Sequence, residues 1–131
     1  MKIAATICRY LLGLMFLVFG FNGFLHFIPQ PPMPPSLALQ FMTVMVASHY
    51  LVVVFLVQLI GGILLLVNRF VPLALTLLAP VIVNILNFHI LMSPNTIGGG
   101  VVVTILWIVV FLSVRRAFDG ILQAKAPAVE V

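Results

Sequence analysis

The chain has 131 residues, of which 64% are hydrophobic and 6% charged, with a formal net charge of +4. That balance excludes a soluble fold, which needs a polar surface over its apolar core, and makes the bilayer the natural solvent. The positive excess needs no nucleic acid to explain it, because a basic face beside anionic lipid accounts for it.

Between Arg9 and Arg115 the one charged side chain is Arg69. The first element is an apolar run over 10–28, close to the about 20 residues that cross a hydrocarbon core of roughly 30 Å. Lys2 and this run do not make a secretory signal: Arg9 interrupts the early stretch, the run is too long for a signal core, and no A-x-A site follows. It is expected to stay as the first span. Cys8 is the single cysteine, so it has no disulfide partner in the chain and forms no C-x-x-C pair.

The sequence PQPPMPP over 29–35 cannot hold a helix, since proline lacks an amide proton and restricts the residue before it. Residues 36–49 are apolar enough to run on into a second span at 50–67. A helix over all of 37–67 would be about 46 Å long at 1.5 Å per residue, which overshoots the core. A separate helix over 36–47 at the outer interface, N-capped by Ser36, is the preferred reading; a second helix projecting outward is the other. Asn68-Arg69 marks a tight turn before a third span at 70–91. Ser93-Pro94-Asn95 with Gly98-Gly99-Gly100 marks a looser turn before a fourth at 99–114.

Lys and Arg near span ends stay on the cytoplasmic side. Lys2 and Arg9 precede the first span, Arg69 separates the second and third, and Arg115, Arg116 and Lys125 follow the fourth. The expected protein is therefore all-α: one membrane domain over 1–131, a four-transmembrane-helix bundle with both termini cytoplasmic.

Amides and imidazoles in hydrocarbon need partners, so the polar residues of the spans are the candidate site. Asn22 and His26 share a face of the first helix, and Asn84 and Asn87 share a face of the third, with Pro80 one turn below. With His89 they are expected at similar depth in the outer leaflet, where meeting faces would form a polar pocket. Pro80 frees the carbonyl of Thr76 and favours a kink. The second span offers Gln58, followed by Gly61 and Gly62, which permit close approach of a neighbour. Gly13 and Gly20 make a smooth stripe suited to helix contact. Thr104 and Trp107 share a face of the fourth span, and Trp107, far from the interfaces, should find a partner within the bundle. The competing reading is that these amides bond across helices and fix packing, at about 0.6 to 2 kcal/mol each.

The segments RYLLGLMFLVFGFNGFLHFIPQPPMPP and LIGGILLLVNRFVPLALTLLAPVIVNILNFHIL, with the VRRAF ending, resemble the DoxX family of small four-helix membrane proteins over nearly the whole chain. The most specific parts are Asn22-Gly23, His26-Phe27-Ile28-Pro29, Pro80-x-x-x-Asn84 and Asn87-Phe88-His89; none is a catalytic signature. The resemblance implies a compact bundle in a bacterial cytoplasmic membrane, with some relatives associated with quinone-linked oxidoreductases. Relatives often carry glutamate at the place of Gln58 and glycine at the place of His49. An amide cannot exchange a proton as a carboxylate does, so only a hydrogen-bonding role carries over.

The leading expectation is a membrane protein that binds a hydrophobic small molecule such as a quinone, with Asn22, His26, Gln58, Asn84, Asn87 and Trp107 as candidate ligand-binding residues. It would serve an oxidoreductase partner, because the chain has no flavin motif, cysteine cluster or metal motif and no self-contained catalytic site. Homo-oligomerisation is left open. A structural or assembly subunit without a ligand is the alternative. A third reading places copper or haem at the outer face on His26, His89, Met33 and Met92, since imidazole and thioether suit Cu(I) and paired histidines suit haem.

Overall fold

A computed structural model describes residues 1–129. About 75% of the protein is helix, and among the described residues no strand forms. The helices are α1 (Lys2–Leu25), α2 (Leu37–Ala47), α3 (Leu51–Leu66), α4 (Val71–Met92) and α5 (Gly98–Val114). Short 3-10 turns occupy Pro94–Thr96 and Arg115–Phe118.

Three helical stretches are long and apolar enough to cross a membrane: Lys2–Leu25, Val71–Met92 and Gly98–Phe118. The pair α2 and α3, bent by 84°, makes a fourth if counted as one span. The outward faces are apolar as well as the inward ones. On α3, Val53, Leu56, Ile60 and Ile63 form an exposed stripe at helical spacing, the pattern of a helix surrounded by hydrocarbon rather than water.

Packing follows the chain order expected of short connections. α1 lies along α3 and α5, and α4 lies along the same two helices, so their contacts close a ring. Leu12, Leu65, Leu75, Leu78 and Val110 are fully buried at its centre. α1 and α3 are antiparallel, and glycine sets how close they come. A Cβ on Gly62 would sit 2.9 Å from both the Gly13 carbonyl oxygen and the Leu17 nitrogen, so backbone meets backbone there. Its neighbour Gly61 serves the other side, where a Cβ would strike the Leu78 side chain of α4. The paired glycines thus seat α3 against both flanking helices, and the Gly13–Gly20 stripe does face α3 as its smoothness suggested.

Several boundaries differ from those the sequence suggested. α1 begins before Arg9 rather than after it, and Arg9 is buried within the bundle. Its guanidinium donates to the carbonyl of Leu65 in the last turn of α3 and lies 4.3 Å from the Tyr10 ring centre. Helix C-termini have unsatisfied carbonyls and the negative end of the dipole, so this charge has a partner inside the fold and does not end the helix. At its other end α1 stops at Leu25 instead of 28. His26 turns left-handed (φ 51°), and the Asn22 side-chain oxygen accepts the Ile28 amide at 2.8 Å. Gly98, Gly99 and Gly100 form the first turn of α5 rather than a loop. The separate helix at 37–47 is present, and Ser36 caps it by accepting from the Leu39 amide at 3.2 Å. The Asn68-Arg69 turn is also where expected, with Asn68 and Phe70 at positive φ.

Candidate functional site

At the end of the ring opposite Arg9, the helices do not close on one another. A cavity of about 850 Å³ lies between α1, α3, α4 and α5, within the about 300–1,000 Å³ typical of small-molecule sites. Its walls are Met15, Phe16, Phe19 and Gly23 of α1, Val52 and Phe55 of α3, Ile85 of α4, and Gly99, Gly100 and Val103 of α5. Met42, Met45 and Val46 of α2 and Ile28 and Gln30 of the proline segment bound it further. Met and Phe give this wall a large, adaptable apolar surface. The sharp bend between α2 and α3 is what brings the α2 methionines over it, with His49 (φ 58°) at the corner.

Polar groups on the wall differ in how they are satisfied. His26 and His49 are exposed. Asn22 is half-buried and already engaged with the Ile28 amide. His89, half-buried, has its Nδ1 2.7 Å from the Ile85 carbonyl oxygen, and its ring meets Phe88 edge-on. Gln58 is the exception. Its residue is 7% exposed, and its Oε1 is buried without a hydrogen-bond partner among the described residues. Buried polar atoms in folded proteins are paired in the great majority of cases, which sets Gln58 apart from the other polar residues that line the cavity.

The expected pocket is therefore assembled from a different set of residues. Asn22, His26 and Gln58 line the cavity, and so do His49 and His89. Asn84 and Asn87 do not: both are exposed, and Asn84 Nδ2 donates back to the Pro80 carbonyl at 2.8 Å. The α4 face that turns inward carries Leu75, Leu78, Val81, Ile82, Ile85 and His89 instead. Trp107 is not on the wall either. It finds the partner expected of it, donating to the Leu75 carbonyl at 3.0 Å, and stacks on Phe111 with centroids 5.2 Å apart. Met33 and Met92 lie off the cavity, while Met42 and Met45 lie on it. Among the described residues no three His, Cys, Asp or Glu side chains stand close enough to hold a metal ion.

Comparison with family models, with curated proteins and with solved structures finds no match to this chain. The site thus speaks through its own chemistry: a mostly apolar cavity whose polar residues range from exposed histidines to one buried amide.

Sequence reasoning groups His89 with Asn22 and His26 but gives it no part in holding an organic ligand, and it passes over His49. For His89 a signal exists, since it lies seven residues beyond Ile82 and four beyond Ile85 on one helical face. For His49 there is none, because only the bend after α2 turns it toward the cavity.

Proposed function

We propose that this is a DoxX-type multi-pass protein of a bacterial inner membrane, whose cavity binds a hydrophobic small molecule with a polar head, such as a quinone. Four spans, counting the bent pair as one, would leave both termini on the cytoplasmic side. The distribution of Lys2, Arg9, Arg69, Arg115, Arg116 and Lys125 toward one end of the ring supports that orientation. The cavity would then open toward the outer leaflet, with α2 lying along the interface.

The observation that carries the binding reading is a mostly apolar cavity of about 850 Å³ whose inner wall includes Gln58, a buried amide with no hydrogen-bond partner for its Oε1 among the described residues. An amide can accept from a hydroxyl or donate to a carbonyl, which suits a quinone ring in either redox form, and the Phe and Met lining suits its ring and tail. Electron transfer would be the task of a partner oxidoreductase. This chain's own part would be to hold the ring, exclude water and present Gln58 and His89 to its oxygens.

Native mass spectrometry of the protein released gently from its own membrane tests the assignment. A retained quinone or similar lipid-soluble molecule, lost in the Gln58→Met variant, is the expected result. A bare chain, or one that arrives only with a tightly bound protein, would sink the ligand reading and favour an assembly subunit. Orientation is tested by thiol labelling: Gln30→Cys should react from outside the cell and Ala126→Cys only after the membrane is opened.

A further inference from the structure

Resting on the reading of the cavity as a small-molecule site, we infer that Gly23 is the residue that fits it to a ring. By giving the Phe55 side chain a notch to lie in, it keeps the space beside Gln58 wide enough for a ligand with a six-membered ring at its head, rather than for a single alkyl chain alone. Gly23 on α1 and Phe55 on α3 both line the cavity. A Cβ built on Gly23 would fall 2.5 Å from Phe55 Cε2 and closer still to Cγ and Cδ2, well inside the roughly 3.5–4.0 Å at which carbon atoms rest against one another. The ring therefore lies directly on the α1 backbone, in room that any residue with a Cβ would fill.

Where the ring would go if that room were filled follows from its place on α3. Leu59 and Gly62 meet α1, while the buried Gln58 and Leu65 turn to the interior; helical spacing sets Phe55 between these two stripes. On its lipid side stands Phe24, exposed, off the cavity and edge-on to the Phe55 ring with centroids 5.9 Å apart. Turning the ring about χ2 gives no relief, because Cγ is itself overlapped and χ2 leaves it in place. A helical phenylalanine holds χ1 at about 180° or −60°, so relief takes either a change of χ1 or a separation of the helices. The close seating of α1 on α3 at Gly20 and Gly62 resists the second. With α1 and Phe24 closing the other directions, the displaced ring moves toward Gln58 and into the cavity. There it takes the space of one ligand ring, which a single chain can pass beside and a ring head cannot share.

Two probes with the same carbon count and one hydroxyl each isolate shape: para-nonylphenol, which carries a ring, and 1-pentadecanol, which does not. They are offered together to the purified full-length protein and counted as bound masses by native mass spectrometry, and the parent should hold the phenol. In Gly23→Ala the ratio of phenol to alcohol should fall about tenfold below the parent's, the scale of an overpacked site. Adding Phe55→Leu to Gly23→Ala removes the displaced ring and should return the ratio to within about threefold of the parent's. Gly98→Ala, the same change at a helical glycine off the cavity with nothing within 4 Å of the added atom, should leave the ratio where it was. Phe55→Trp overfills the notch without altering Gly23 and should lower the ratio too, which carries the test if Gly23→Ala does not fold. An unchanged ratio, or parallel loss of both probes from a folded variant, overturns the role of Gly23 while the cavity reading survives; so does a parent that holds the alcohol alone. A fall that Phe55→Leu does not reverse overturns the part given to Phe55. If neither probe binds the parent, the small-molecule site itself falls, and this inference with it.

Discussion

The two ends of the helix ring are built from the same apolar alphabet and reach opposite results. At the Arg9 end, Gly13 and Gly62 let the backbones of α1 and α3 touch, five large side chains are fully buried near the axis, and the buried charge of Arg9 is bonded to Leu65. At the other end the same two helices meet through bulk. The position where Gly23 lacks a Cβ is filled by the Phe55 ring, and around it lie the cavity, two left-handed histidines and, among the described residues, a buried amide oxygen without a partner. In lipid, where tails are as apolar as leucine, helix contact depends on shape and hydrogen bonds more than on hydrophobicity. Small residues facing backbone close the ring; aromatic and thioether residues facing one another leave it open.

Gly62→Val breaks this contrast most severely. Its new side chain would have to occupy space held by the Gly13 oxygen and the Leu17 nitrogen, neither of which can rotate away. A loss of about 3 kcal/mol or more is expected in denaturant unfolding from detergent, whereas Gly99→Ala, with nothing within 4 Å of the added atom, should be neutral or slightly stabilising. Arg9→Ala comes next. It removes a charged hydrogen bond to the end of α3 and should cost about 2 kcal/mol, with Arg9→Lys recovering part of it; an unchanged midpoint would show that the guanidinium contributes nothing to closing that end. Trp107→Phe keeps the stack on Phe111 but gives up the bond to Leu75, for a loss of about 1 kcal/mol. Smallest is Asn84→Leu, whose exposed amide bonds only within its own helix. Its stability should move by less than about 0.5 kcal/mol and quinone retention should not change, so a large effect would return Asn84 to the site.

The helices themselves are legible in the sequence because length, proline and capping are local properties. PQPPMPP, the Ser36 cap, the Asn68 turn and the glycines that bring helices together can each be read from neighbouring residues. Rotation is harder. Spacing places Asn84 and Asn87 on one face of α4, but α4 is apolar on every side, so no amphipathic pattern says which face turns inward. Pairing Asn84 with Asn22 assumes that polar faces meet, whereas both find intrahelical or adjacent backbone partners instead. Arg9 misleads for a related reason. A charge normally bounds a span, and the carbonyl that permits it to do otherwise is supplied by a residue 56 positions away.

The brevity of α3 has a consequence for the lipid around it. Its 16 residues cover about 24 Å at 1.5 Å per residue, roughly 6 Å less than an average hydrocarbon core. In a bilayer, the acyl chains beside its exposed stripe must shorten or the whole ring must tilt, each at a modest cost per ångström. Such hydrophobic mismatch would favour thin membranes and draw headgroups down toward α3, lowering the barrier for an amphiphile that enters sideways from the leaflet.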